Sequence, residues 1–258
     1  GGALTSGGSA SGGSNAGGGS GGGGSLSFSM GDLDGDWTGE LIPGVVDQLE
    51  RNFYVRIADG LVNDSAEGAG GMWSEADSVV TLSFSTSGFL RLSMNSNGDL
   101  GKLAIEGTMN LAMTKINGTF TLEPLVGSTF SGTFELRRSN GPGTFTLDLI
   151  KGAWVGKGLN AQDKFRLADM NIDDFGNLES AEVRHPVTDQ LVHLFTSASS
   201  ASFSFFDDSV GRLNNVVMTD GLGDTLTFDF LLVNDQGTLM GGPGASSVLG
   251  PGHAELSR

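Results

Sequence analysis

The 258-residue chain sets 30 Asp and Glu against 14 Lys and Arg, a formal charge of −16, which disfavours nucleic acid and anionic lipid as partners. It has no cysteine, which excludes disulfides, thiolate chemistry, Cys-ligated zinc and iron–sulfur clusters. Hydrophobic residues are 38% of the chain and 43 positions are Gly; this shortage of bulky side chains points to many turns, and no apolar run approaches the roughly 18–20 residues of a membrane-spanning helix.

Residues 1–25 contain only Gly, Ser, Ala, Asn, Leu and Thr, with Gly at 13 positions. Such a segment buries too little apolar area to offset its backbone entropy, so Gly1 to Ser25 reads either as a flexible tether or as a tail that orders in an assembly. The Gly-Gly start, in place of Met, is read as that of a mature, exported form.

From Leu26 the period is two. Leu26 to Met30, Val80 to Phe84, Phe89 to Met94, Met109 to Met113, Phe120 to Leu122, Phe130 to Leu136 and Phe145 to Leu149 alternate apolar with small or polar residues. Phe203 to Phe205 and Leu226 to Leu232 continue the pattern, which is that of antiparallel strands with one dry and one wet face. Val45 to Arg51 is the best helix candidate, at about two turns. Asn97-Gly98, Asn117-Gly118, Phe175-Gly176-Asn177, Asp220-Gly221 and Gln236-Gly237 read as turns, where Gly supplies positive φ.

Internal similarity runs through the pattern. Trp37-Thr-Gly39-Glu40 matches Trp154-Val-Gly156-Lys157, and Phe53 to Asp59 matches Phe165 to Asp169. Gly98-Asp-Leu100 with Leu103 to Thr108 matches Gly211-Arg-Leu213 with Val216 to Thr225, and Gly118 to Leu122 matches Gly237 to Met240. The expected fold is all-β: two related antiparallel β-barrel or sandwich domains with little helix. The expected boundaries are a tail over 1–25, a first β-domain over 26–151, a second over 152–242 and a loose C-terminal tail over 243–258.

A Gly/Ser-rich leader running into Gly35-Asp36-Trp37-Thr38-Gly39, followed by alternating strands and Asx-Gly turns, resembles the lipocalin-like β-barrel domains of bacterial secreted proteins and lipoproteins. The resemblance covers residues 26–151 and reaches the second half through the duplication. It implies a barrel, with no chemistry common to the family. No N-terminal Cys stands in this sequence to carry a lipid.

Few constellations carry chemistry. Asp32, Asp34 and Asp36 alternate as calcium-binding loops do, but Trp37 and Pro43 stand where an EF-hand needs Gly and Glu. Asp169, Asn171 and Asp173 repeat the spacing, and Asp173 to Asn177 reads better as a hairpin turn. Calcium is thus the one cofactor left open. His185 and His193 read as structural, no Gly-x-Ser-x-Gly elbow occurs near a strand–helix turn, no phosphate-cradling loop lies between a strand and a helix, and Arg137-Arg138 reads as a solvated hairpin. Trp73, beside Gly70-Gly71, is a candidate contact residue.

The expected role is a non-enzymatic extracellular or cell-surface structural protein, a subunit of an envelope-associated assembly or fibre that self-associates or joins another envelope protein through its tail or strand edges. The rival is a lipocalin-like module holding a small apolar ligand or lipid. Third comes a hydrolase with a carboxylate site.

Overall fold

The computed structural model describes residues 27–45, 50–67, 78–96, 101–124, 128–160, 164–199 and 201–258. It is all-β, with two antiparallel sheets, and its helical segments among the described residues are 3₁₀ turns of three or four residues. No helix among them is long and apolar enough to cross a membrane.

The first sheet contains β1 (Gly35–Pro43), β2 (Arg51–Ala58), β3 (Leu61–Glu67), β4 (Ser78–Phe84), β5 (Phe89–Ser96), β6 (Lys102–Met109), β7 (Lys115–Glu123) and β8 (Phe130–Arg138). Their order is β3-β2-β1-β8-β7-β6-β5-β4, and the terminal strands β3 and β4 lie in contact, so the sheet is a nearly closed barrel. Alternation sends one residue in two inward. Trp37, Leu41, Phe53, Leu92, Ile105 and Phe120 belong to a core that the barrel fills with its own side chains.

The second sheet contains β9 (Gly152–Asn160), β10 (Lys164–Ile172), β11 (Leu178–Arg184), β12 (Leu191–Thr196), β13 (Phe205–Asp207), β14 (Arg212–Leu213), β15 (Val216–Thr219), β16 (Thr225–Phe228), β17 (Leu231–Val233), β18 (Leu239–Ser246) and β19 (Gly250–Ser257). Arg212↔Leu232, Leu213↔Leu231 and Val216↔Phe228 share one register, so β14 with β15 and β16 with β17 are two bent strands of one long hairpin. Both β16 and β17 pair with β18, with the register shifting between them. The order is then β12-β11-β10-β9-β19-β18, the bent hairpin, and β13. Aligned on β1 and β9, this is the first sheet's order with β12 added.

One local arrangement recurs. A 3₁₀ turn, Met30–Leu33 or Leu147–Leu149, precedes a strand carrying Trp. Trp37 Nε1–H donates to the Leu33 carbonyl at 2.7 Å, and Trp154 Nε1–H to the Ile150 carbonyl at 2.7 Å. The last residue of β8, Arg138, lies over the Trp37 ring, and Arg258, just beyond β19, lies over Trp154. Gly39 and Gly156, two residues after each Trp, let the closing strand approach: a Cβ at Gly39 would stand 1.8 Å from the Glu135 carbonyl oxygen.

Several sequence expectations change. Ser27–Ser29 form no strand and Met30 starts a 3₁₀ turn, because the Ser29 N–H and hydroxyl both bond the Asp32 carboxylate. Phe145 to Leu149 likewise enters a 3₁₀ turn. Leu111 to Met113 lie in a turn held by the Asn110 side chain, which accepts from the Thr114 and Lys115 N–H groups. Asn117-Gly118 lies inside β7 instead of a turn, where Gly118 admits the Glu106 carbonyl of β6; Gly237 lies in a turn, so that matched pair is not equivalent. Residues 243–258, expected as a loose tail, complete β18 and form β19, which pairs with β9. Of the helix candidate Val45 to Arg51, residues 46–49 lie outside the described residues, and Arg51 begins β2.

A mixed seam joins the sheets. Tyr54 and Ala66 of the first pack with Val210, Phe230 and Leu232 of the second. Buried Asn52 donates through Nδ2 to the carbonyls of Leu232 at 2.7 Å and Leu239 at 3.1 Å. Arg56 bonds Asp36 on its own sheet at 2.6 Å and, across the seam, Asp207 and Ser209, each at 2.9 Å. Burial, then the hydrogen bond to Asp64, pushes the Tyr54 hydroxyl up, so it remains a neutral donor.

Candidate functional site

The structure does not bring the predicted calcium carboxylates together. Asp32 caps the first 3₁₀ turn, Asp34 accepts from the Gly60 N–H at 3.1 Å, and Asp36 pairs with Arg56. The Ser29 N–H and hydroxyl hold the Asp32 carboxyl below its ordinary range. In the second trio, Asp169 sits at a bulge with φ 51°, Asn171 bonds Glu179, and Asp173 accepts from the Phe175 and Asn177 N–H groups in a turn. Among the described residues no group of three or more His, Asp or Glu could hold a metal. Gly1 to Ser25 and Trp73 lie outside the described residues.

The structure does assemble a constellation that the sequence reading missed. The alternation of β12 turns His193 inward, beside Phe195, whose ring stacks on the imidazole at 5.4 Å and 26°. The turn between β15 and β16 presents Asp220, whose Oδ1 accepts from the Leu222 and Asp224 N–H groups at 2.9 and 3.0 Å. Ser246 ends β18, and its Oγ accepts from the Val248 and Leu249 N–H groups at 3.1 and 3.0 Å. His193 spans them, with Nδ1 3.0 Å from Asp220 Oδ2 and Nε2 2.8 Å from Ser246 Oγ. Exposures of 1%, 8% and 5% for His193, Asp220 and Ser246 place the network inside the fold.

Counting donors and acceptors fixes its protonation. A serine hydroxyl has one proton and two acceptor sites, and here two N–H groups fill the sites. Its proton therefore points at Nε2, which accepts, and Nδ1–H donates to Asp220. The His193 hydrogen bond, helped by the two N–H groups, holds the Asp220 carboxyl below its ordinary range against the opposing effect of burial.

Serine, histidine and aspartate in this connectivity are the parts of a nucleophile, base and orienting acid. Two observations turn the reading toward a clasp. Both acceptor sites of Oγ are occupied by backbone N–H groups, and the apolar pocket beside it, lined by Leu226, Phe228, Gly244 and Ala245, has a volume of about 10 Å³, room for one water. The network ties β12 by side chains to elements with which, among the described residues, it makes no backbone pairing. Its members lie 27 and 53 positions from His193, beyond any local motif; the one legible signal was a histidine at an inward position of an alternating strand.

Two larger depressions carry charged side chains. A groove of about 180 Å³ on the seam is lined by Thr38, Glu40, Glu135, Arg137, Asn234 and Asp235, with Arg137 paired to Glu135 at 2.9 Å. An open cleft of about 610 Å³ lies between Lys151 and the turn of Asp173, Asp174 and Phe175. Lys151 pairs there with Asp148 at 2.7 Å and Asp174 at 3.3 Å.

No family model matches the chain, and no curated protein matches it. Among solved structures it is similar to a protein of unknown function of the DUF3598 family from Nostoc punctiforme, with a TM-score of 0.28, 11% identity, and 89% of this chain and 98% of that one covered. A candidate outer membrane protein from Bacteroides fragilis follows, with a TM-score of 0.25, 9% identity and coverages of 88% and 97%. Kievitone hydratase from Nectria haematococca matches with a TM-score of 0.23, 10% identity and coverages of 88% and 89%. Likeness at these levels assigns no activity to the chain.

Proposed function

We propose that the protein is a non-catalytic subunit of an assembly on the outside of the cell, and that it associates through the free edge of β12. The observation that carries this reading is the character of that strand. β12 ends the second sheet and pairs, among the described residues, with β11 alone. Its sequence, Leu191-Val-His-Leu-Phe-Thr196, has no Lys, Arg, Asp, Glu or Pro to guard the edge, and Leu191 and Leu194 are exposed. Native edges without such guards are pairing sites. The opposite terminal strand, β13, is three residues long and its Asp207 is tied to Arg56.

The acidic, cysteine-free composition and the Gly/Ser-rich tail support an exported subunit. The matched 3₁₀ turns, Trp strands and closing arginines support two lipocalin-like units related by duplication, with β12 as an addition to the second.

The test is particle size and shape of the full chain by light scattering and electron microscopy, beside Leu194→Lys and a form lacking residues 1–25. Oligomers or filaments that dissolve with the lysine are expected. A full chain that stays monomeric near its 26.6 kDa mass at every concentration overturns the reading. Particles that vanish only with the tail would overturn the choice of β12 as the joint.

A further inference from the structure

The polar network holds the tip of the β18–β19 hairpin. We propose that His193, Asp220 and Ser246 form a proton-operated clasp, in which one proton taken up by His193 releases that tip.

Hydrogen-bond capacity sets the response of the network to a proton. In the neutral network every donor has an acceptor: Ser246 donates to Nε2, and its oxygen is filled by the N–H groups of Val248 and Leu249. A proton on Nε2 turns that atom into a donor and sets two donors face to face. The serine oxygen accepts from the imidazolium only when one of the two N–H groups leaves. Val248 is exposed at the tip, so its N–H has water to turn to.

The other arm responds in the opposite sense. Asp220 keeps its charge, and the Nδ1–H to Oδ2 bond of 3.0 Å becomes an ion pair. The Leu222 and Asp224 N–H groups on Oδ1 therefore stay in place. The change is one-sided, loosening the tip that holds Ser246 while keeping His193 on the turn of Asp220.

The surroundings supply few competing charges. On the β15–β16 turn, beside Asp220, Asp224 accepts from the Ser247 hydroxyl at 3.0 Å. On β11 the register partner of His193 is Val183, and the flanking Glu182 and Arg184 pair with each other at 2.6 Å. On β12 no other residue titrates. On β19, His253 lines the small pocket beside Ser246, and Glu255 lies two residues beyond. His253 is the other histidine beside Ser246, so it sets the control.

The experiment is amide hydrogen exchange of the full chain at pH 8 and pH 5.5, corrected for intrinsic rates and resolved at Val248, Leu249, Leu222 and Asp224. The expected result is roughly tenfold more opening at Val248 or Leu249 at the lower pH, with Leu222 and Asp224 unchanged. His193→Gln should abolish the difference and His253→Gln should keep it. Equal protection at both pH values overturns the clasp, as does a response that follows His253. Light scattering on the same samples separates the two proposals: tip release in a protein that is monomeric at both pH values overturns the β12 assembly and leaves the clasp standing. Assembly without tip release does the reverse.

Discussion

The guanidinium carbon of Arg258 stands 4.7 Å from the centre of the Trp154 ring, and Arg258 Nη2 donates to the Leu149 carbonyl at 3.2 Å. The same arginine bonds the carbonyls of Gly237 and Lys151, so the last residue of the sequence pins the 3₁₀ turn, the Trp strand and the turn before β18 at one point. Arg138 stands over Trp37 at 4.8 Å and bonds the Asp32 carbonyl. Planarity, a delocalised charge and a fork of donors suit arginine to this role and lysine poorly.

Arg258→Ala should lower the stability of the second sheet by about 2 kcal/mol, from lost charge-assisted hydrogen bonds and ring contact. Arg258→Lys should recover less than half of that. Urea unfolding followed by circular dichroism reads both, and an unmoved midpoint for the alanine variant would dismiss the pin.

Gly39→Ala should be the more damaging of the two Trp-x-Gly substitutions. Its Cβ would meet the Glu135 carbonyl oxygen at 1.8 Å, whereas at Gly156 the Glu255 carbonyl stands at 2.4 Å. Each must spread the pairing with the closing strand, at a cost of about 3 kcal/mol or more for Gly39. Soluble yield and melting temperature of the pair give the ranking, and the opposite order would refute the close-approach argument.

Much of this fold was readable from alternation, because a strand with one dry face must repeat every two residues. Val80 to Phe84, Phe89 to Met94 and Phe130 to Leu136 all form strands as expected. Alternation failed where a short polar side chain captured the backbone first, as Asp32 does before β1 and Asn110 between β6 and β7. Gly118 misled because glycine serves close approach inside a sheet as well as positive φ in a turn. Arg138, read as a solvated hairpin residue, shows its role only through its register opposite Trp37. The His193 network was illegible for the same reason, since only tertiary pairing brings its members together.

Asn52→Ala should weaken the seam. Its Nδ2 serves the Leu232 and Leu239 carbonyls from a site 3% exposed, and alanine leaves both without that donor. A loss of about 2 kcal/mol is expected. Because Asn52 joins the two sheets, the loss should also split a single unfolding transition into two, visible by calorimetry. One sharp transition with unchanged enthalpy would show that the apolar contacts of Tyr54 and Phe230 couple the sheets without it.

Glu255→Gln should raise stability at neutral pH. Burial raises the Glu255 carboxyl above its ordinary value of 4.5, with Lys157 opposing and Glu50 adding to the shift, and its Oε2 is buried without a hydrogen-bond partner. A carboxyl whose folded value lies above its unfolded value favours the folded state when protonated. Its penalty is therefore present above the folded value and disappears as pH falls through 4.5. The group is partly exposed, so solvent screening limits the gain to on the order of 0.5 kcal/mol. Stability curves of the two proteins should converge in acid, and a constant gap across pH would point to packing instead of charge.

Ser246 should resist a fluorophosphonate probe at neutral pH, despite a histidine nitrogen 2.8 Å from its oxygen. Attack needs a free lone pair and space for a tetrahedral centre. Both acceptor sites of Oγ hold N–H groups, and the adjoining pocket of about 10 Å³ admits little more than a water. Intact-mass spectrometry should show no adduct in the wild type, and none in Asp220→Asn. An adduct mapped to Ser246 and lost in His193→Ala would establish a working nucleophile, with tip motion opening the site that the folded network keeps shut. That result would replace the non-catalytic reading with a hydrolase built on the same three residues, so the probe decides between structure and chemistry at the point where they share atoms.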